Sequence, residues 1–225
     1  MNYRGLKIEP MSFGAVTTDD LFCDKEQAIF DFYERKRYRK AVDIGANVGV
    51  HTMLMLQQGW KVKAFEPDPL HFNALVHNLL ANGLMDETVD LYRAAMSDHD
   101  GMGEFVRVCG NTTGSHLKGD KTPYGPLQTF KVQVMDCRPF FEEADFVKMD
   151  CEGHEARLLL TVTPETRCEF MVEVGSRKNA ELIYRHFERL PVWLWAQKNG
   201  WGPVNDLEDM PVHHSDGALF IGERP

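Results

Sequence analysis

The chain has 225 residues, 43% hydrophobic and 26% charged, enough for one sizeable core of ordinary globular composition. Its formal net charge of -9 opposes a non-specific grip on nucleic acid, which needs clustered Lys and Arg to neutralise phosphates. No apolar run approaches the ~20 residues of a membrane span, and Met1 to Pro10 lacks the apolar core of a leader, so neither membrane nor secretion is expected.

Residues 1 to 23 form an extension without a readable element. Asp24 and Gln27 stand three apart, as in a capping box, and Ala28, Ile29, Phe32 and Tyr33 follow at helical spacing. The basic run from Arg35 to Lys40 ends that helix, where cations suit the dipole. Ala41 to Ile44 reads as a short buried strand. It runs into Gly45-Ala46-Asn47-Val48-Gly49 and a helix through Thr52 to Gln58, stopped by Gly59. Lys61 to Phe65 is a second strand. Asp68 and Pro69 are a natural N-cap and first helical residue for the stripe Leu75, Val76, Leu79 and Leu80, which Asn82-Gly83 ends.

Val89 to Ala95 predicts a third strand. Phe105 to Val108 and Phe130 to Val134 are β-type runs around a Gly/Thr/Ser/Pro-rich loop, 110 to 126, which reads as a flexible lid. Phe146 to Met149 is a buried strand leading into Asp150-Cys151-Glu152-Gly153 and a helix. Phe170 to Val174 and a helix from Asn179 to Leu190 follow. Alternation of strands and helices predicts an α/β fold with a mostly parallel sheet and helices on both faces. The last strands, near Trp193 and at Ala218 to Gly222, have no helix between them and predict a C-terminal antiparallel hairpin on the sheet edge. No repeat or linker divides the chain. One domain over 1–225 is expected, with 1–40 as extension and first helix and 41–225 as core. The five cysteines form no C-x-x-C pair, which argues for reduced thiols, a cytoplasmic setting and no metal.

Two segments carry chemistry. In Val42 to Gly49 an acidic residue near a strand end precedes a tight glycine turn that opens a helix, so a ligand can approach free N–H groups. Glu66 follows Asp43 beyond the second strand and can accept both hydroxyls of a ribose. A dinucleotide fingerprint after Gly45 would need glycines at 47 and 50, where Asn47 and Val50 stand. S-adenosyl-L-methionine has no phosphate and tolerates Asn47. The second segment is Phe146 to Glu155. Asp150 ends a strand where open parallel sheets bind ligands, and a carboxylate suits a nearby sulfonium. Helix capping is the competing role for Asp150 and Glu152. His213-His214 with Asp216 lacks a third ligand, and no metal is expected there.

These blocks, with Ala95-Met96-Ser97-Asp98 and Asn111 with Gly114-Ser115-His116-Leu117, resemble the FkbM-type methyltransferase family. The resemblance implies a Rossmann-like class I methyltransferase using S-adenosyl-L-methionine, mainly for O-methylation of sugars and polyketide-type products. It implies that Asp43, Gly45, Ala46, Asn47, Gly49, Glu66, Pro67 and Asp150 surround the cofactor, Glu66 on its ribose, with Met96 and Ser97 by the adenine. Asp150, His116 and His154 are the candidate bases, and a small-molecule or glycan acceptor is expected. The residues themselves leave open methylation of nitrogen or nucleic acid, or a non-catalytic cofactor-binding protein.

Overall fold

The computed structural model describes all 225 residues. A small ribbon, β1 (Asn2–Tyr3) and β2 (Leu6–Lys7), precedes α1 (Asp24–Arg35). Then come β3 (Lys40–Ile44), α2 (Val50–Gln57), β4 (Lys61–Phe65), α3 (Pro69–Ala81) and β5 (Val89–Tyr92). β6 (Ala94–Ser97), β7 (Gly101–Val108), β8 (His116–Leu117) and β9 (Leu127–Asp136) follow. The chain closes with α4 (Arg138–Glu143), β10 (Phe146–Met149), α5 (Glu155–Leu159), β11 (Glu169–Glu173), α6 (Arg177–Phe187), β12 (Leu194–Ala196), β13 (Gly202–Pro203) and β14 (Ala218–Ile221).

The main sheet runs β13-β12-β14-β11-β10-β3-β4-β5. Its five strands from β11 to β5 are parallel, and β14, β12 and β13 are antiparallel additions at one edge. Side chains alternate across it as the pleat requires. Ala41 and Phe146 enter a core under α1, α2 and α3, while Val42 and Val147 enter another under α4, α5 and α6. Both faces are therefore covered, as the helix-strand alternation predicts. The closing hairpin is present too, with β14 seated between β11 and β12.

Three local expectations differ. The third strand is not continuous to Ala95. It breaks at Arg93, and β6 pairs in parallel with β9 in a second sheet of order β6-β9-β7-β8. There the β-type runs extend into one long antiparallel ribbon with Phe105 opposite Phe130, a cross-strand aromatic pair. Asp24 is the first residue of α1 rather than its cap, which falls on Cys23, and Gln27 instead donates to the Phe22 carbonyl. Residues 1 to 23 are not an appendage: Leu6, Ile8 and Phe13 are buried in the same core as α1, α2 and α3.

Phe146 anchors that core through aromatic contacts with Phe32, Tyr33, Tyr38 and Trp60. Phe146→Ala removes the shared ring. Thermal unfolding should show a loss of about 3–5 kcal/mol, roughly 6–20 °C in Tm for a chain of this size. A Tm within about 2 °C of the unsubstituted protein would contradict this packing.

Candidate active site

Neighbouring parallel strands bring their carboxyl ends together at β3 and β10. Gly45 follows β3 with a φ of 75°, and a Cβ there would lie 1.8 Å from the Asp150 carbonyl oxygen. Asp150 in turn donates its backbone N–H to the Ile44 carbonyl. Only glycine permits this approach, which sets the Gly45 turn beside Asp150. Asn47 and Glu152 flank the junction with φ of 52° and 57°, strained for side-chain-bearing residues.

A cavity of about 570 Å³ opens over this junction, within the size range of small-ligand sites. Gly45, Ala46, Asn47, Glu66, Pro67, Met96, His116, Asp150 and His154 all line it. Asp43, Gly49 and Ser97 do not; they stand behind the wall. Asp43 is fully buried, accepts from Thr52 Oγ1 at 2.6 Å and lies 3.8 Å from Lys148 Nζ. Gly49 caps α2 at a φ of 90°, with Leu75 packed against its Cα.

Glu66 is buried and held by two backbone donors, Asn47 N–H to Oε2 and Asp68 N–H to Oε1, both at 2.8 Å. Each oxygen keeps a second lone pair for a ligand hydroxyl. Burial, helped by the charge of Asp68, pushes its carboxyl up to about 8, although the two N–H groups and Lys148 oppose this. Asp68 caps α3 through Leu70 N–H and is gripped at 2.6 Å by two nitrogens of Arg107, which ties β7 to the cofactor-side wall. Asn47 Oδ1 is buried without a partner. An orphaned acceptor and a carboxylate with free lone pairs, beside a turn too tight for any Cβ, fit the nucleoside expected from the motifs.

The three candidate bases differ sharply. His116 is buried and lines the cavity; its Nδ1 lies 3.0 Å from the Gly114 carbonyl. A carbonyl only accepts, so Nδ1 carries a proton. Nε2 has no partner in the protein. His154 corrects an expectation. Both its nitrogens are engaged, Nε2 with Ser97 Oγ at 2.9 Å and Nδ1 with Asp120 at 2.9 Å, so it has no lone pair free to serve as a base. It straps the 110–126 loop to β6. That is also why Ser97, committed to this bond, stays behind the wall. The loop itself is built in rather than free: it contains β8, and Gly110 and Thr112 hydrogen-bond backbone-to-backbone with Ala15 and Phe13. Asp150 is partly exposed, 3.8 Å from Lys148 Nζ. Glu155 does more than face the helix dipole. Its buried carboxylate accepts from the Cys151 and Gly153 N–H groups and from Asn179, and so shapes the turn that presents Asp150 and Glu152.

Sequence reasoning missed Lys148 and Glu173, and with them Glu26 and His51. All four line the cavity. Lys148 is almost wholly buried and donates to the Gly45 carbonyl. Burial disfavours its charge, but Asp150, Asp43, Glu26 and Glu173 together hold its pKa well above the usual lysine value. The available signal was a charge inside an apolar strand: Lys148 in Phe146 to Met149 and Glu173 in Phe170 to Val174.

The chain matches the family model of the methyltransferase FkbM domain over residues 43–200. Its structure is similar to that of methyltransferase FkbM from Methylobacillus flagellatus KT, with 14% identity and a TM-score of 0.52, over 84% of this chain and 45% of that one. It is also similar to a precorrin-6y C5,15-methyltransferase from Geobacter metallireducens GS-15, with 12% identity and a TM-score of 0.50, over 90% and 93%. At such identities the likeness is one of fold. The chain spans less than half the length of the Methylobacillus protein. No curated protein matches it.

With the nucleoside expected on Glu66, its raised carboxyl predicts proton-linked binding. Its ordinary value is 4.5 and its folded value about 8, so the folded protein holds the extra proton between them. The stability this contributes is complete below about 4.5 and is lost as pH rises to about 8. Ribose hydroxyls donate to the ionised form and thus expel the proton. Calorimetric affinity for S-adenosylhomocysteine should rise between roughly pH 6 and 8, by at most about tenfold per unit, then level off. Glu66→Gln should bind more weakly with no such rise. A flat profile in the unsubstituted protein would remove Glu66 from the ribose.

Proposed function

Because the chain belongs to the FkbM methyltransferase family and is an S-adenosylmethionine-dependent enzyme, we propose that it methylates a hydroxyl of a sugar-like or natural-product small molecule. The observation that carries this reading is His116: a buried imidazole in the cavity wall, its Nδ1 on the Gly114 carbonyl and its Nε2 met by no protein group. Buried polar atoms find partners, and an acceptor hydroxyl supplies the missing donor.

When bound, S-adenosylmethionine supplies an electrophilic methyl group on its sulfonium sulfur. Asn47 and Glu66 hold the nucleoside, Gly45, Ala46, Pro67 and Met96 shape its bed, and Asp150 orients the methionine ammonium. His116 Nε2 would take the acceptor's hydroxyl proton and later return it to water. Most of the remaining acceleration comes from holding the acceptor oxygen in line with the methyl group away from bulk water. Net charge and the acidic side chains of the cavity disfavour a nucleic-acid acceptor. Residues 1–40 share a core with α2 and α3, in keeping with one domain over the whole chain. No helix is long and apolar enough to cross a membrane. The five free thiols suit a reducing cytoplasm.

A coupled assay of S-adenosylhomocysteine release over a library of hydroxylated metabolites tests the reading. With a methylated acceptor in hand, His116→Gln should lower kcat by about 10²-fold or more. Affinity for S-adenosylhomocysteine should stay within about twofold. Near-normal kcat in this variant, or products methylated on nitrogen or carbon, would reject the hydroxyl reading.

A further inference from the structure

Glu26 and Tyr33 stand two turns apart on one face of α1, ~10 Å along its axis. His51, the second residue of α2, fills the gap between them. Its Nδ1 lies 2.8 Å from the Tyr33 hydroxyl and its Nε2 3.1 Å from Glu26 Oε2. The rings of Phe30 and Tyr33 pack edge-to-face on the imidazole and hold it there.

Tyr33 is fully buried, and its hydroxyl has no hydrogen-bond partner besides His51. Burial and the charges of Asp43 and Glu26 raise its phenol well above the ordinary value, so it keeps its proton. A buried hydroxyl proton needs an acceptor, and the one at hydrogen-bond distance is His51 Nδ1. That nitrogen therefore accepts, and the imidazole carries its proton on Nε2, toward Glu26.

Glu26 thereby differs from the other acids of the cavity. Burial opposes its charge, but His51 and Lys148 hold its carboxyl below the usual value. Burial pushes the carboxyls of Glu66, Glu152 and Glu173 up instead. Glu26 Oε2 is turned into the protein, against His51. Oε1 makes no hydrogen bond and is not sealed in, and the residue lines the cavity. The charge is already answered by Lys148 and the His51 N–H, so what Oε1 lacks is a donor and not a counter-ion. A neutral hydroxyl fits that need.

We propose that Glu26 binds a second hydroxyl of the acceptor, one that is not methylated, and that His51 and Tyr33 are positioning residues that hold the carboxylate for it. The inference rests on the hydroxyl-methylating reading above and narrows it to polyhydroxylated acceptors such as sugars, as against compounds with a single hydroxyl. His116 and Glu26 line one cavity from the loop and from α1, so the two contacts together fix which hydroxyl meets the methyl group.

The test is a set of analogues of the best acceptor, each lacking one hydroxyl other than the one methylated, assayed with S-adenosylmethionine. On the unsubstituted protein one analogue should show a KM about tenfold or more above the parent, the loss of one charge-assisted hydrogen bond, with kcat moved less than about threefold. Glu26→Gln should impose a similar rise on the parent but little further rise on that analogue, whose contact is already gone. Tyr33→Phe removes only the phenol oxygen; it should raise KM for the parent about threefold and leave that analogue unaffected. A merely structural phenol would lower the melting temperature without creating this difference. Calorimetry of parent and analogue on S-adenosylhomocysteine-loaded protein should follow the same pattern, with S-adenosylhomocysteine affinity of both variants close to normal. Additive losses from Glu26→Gln and every analogue, no analogue with a raised KM, or single-hydroxyl compounds turned over as well as the parent would overturn the proposal while leaving methyl transfer to oxygen intact. Methylation on nitrogen or carbon, or no turnover of any hydroxylated compound, would bring down the hydroxyl reading and the proposal with it.

Discussion

The backbone of Gly45 presses against the Asp150 carbonyl so closely that no side chain fits between them. Every feature of the site follows from that contact. It joins the carboxyl ends of β3 and β10 and turns the chain from β3 toward α2; the N–H groups of Gly45 and Ala46 are taken by the Phe65 carbonyl and that of Asn47 by Glu66, so the turn does not offer the free N–H groups that its sequence suggests. It also sets Lys148, from the middle of β10, under the Gly45 carbonyl. A nucleoside bed on one strand and an acidic residue on the next are thus parts of one junction. The strained φ values of Asn47 and Glu152, one on each side of it, are local costs of holding it, of order 1–3 kcal/mol each.

Charge is managed differently at the two ends of the cavity. On the Glu66 side, Glu66 is held by two N–H groups and Asp68 by Leu70 N–H and two nitrogens of Arg107, while Asp43 accepts from Thr52 on one oxygen and keeps the other buried without a hydrogen bond, 3.8 Å from Lys148. Those residues are preorganised, and a nucleoside adds hydrogen bonds without rearranging them. Toward β11 and α1, Glu26 is paired with His51 at 3.1 Å, which with Lys148 holds its carboxyl below the usual value, whereas burial and neighbouring acids push that of Glu173 up. Burial penalises the charge of Glu66 as it does that of Glu173, and raises both carboxyls.

Legibility in the sequence tracks the range of the interactions. Asp43 to Gly49, Asp68-Pro69 and Asn82-Gly83 were readable because a turn, a cap and a stop are decided by neighbours a few residues apart. The break at Arg93 was not, since β6 leaves the main sheet to pair with β9 some forty residues later. The sequence left His154 open between a base and a structural histidine for the same reason. Its partners, Ser97 and Asp120, are brought in by the second sheet and the loop, and nothing near position 154 announces them. Lys148 and Glu173 did leave a trace, as charges inside buried strands, but their shared meaning needs the β10–β11 pairing that aligns those strands.

The acceptor end is assembled from the segments least regular in sequence, and the contacts explain how they nevertheless act as one rigid wall. Thr112 hydrogen-bonds His71 through its hydroxyl and Phe13 through its backbone, joining α3, the loop and the N-terminal segment at one point. Ser115 closes the next turn onto Val108 and Thr112. Only then comes His116, whose ring is aligned by Gly114 two residues earlier. Asp120, four residues further on, is fixed through His154 to β6. The imidazole therefore sits between two anchors, one to the N-terminal segment and one to the second sheet. Its position depends on residues 13 to 15 as much as on its own loop. The N-terminal segment is thus part of the cavity wall on both counts: it braces the loop that carries His116, and α1 adds Glu26 to the lining.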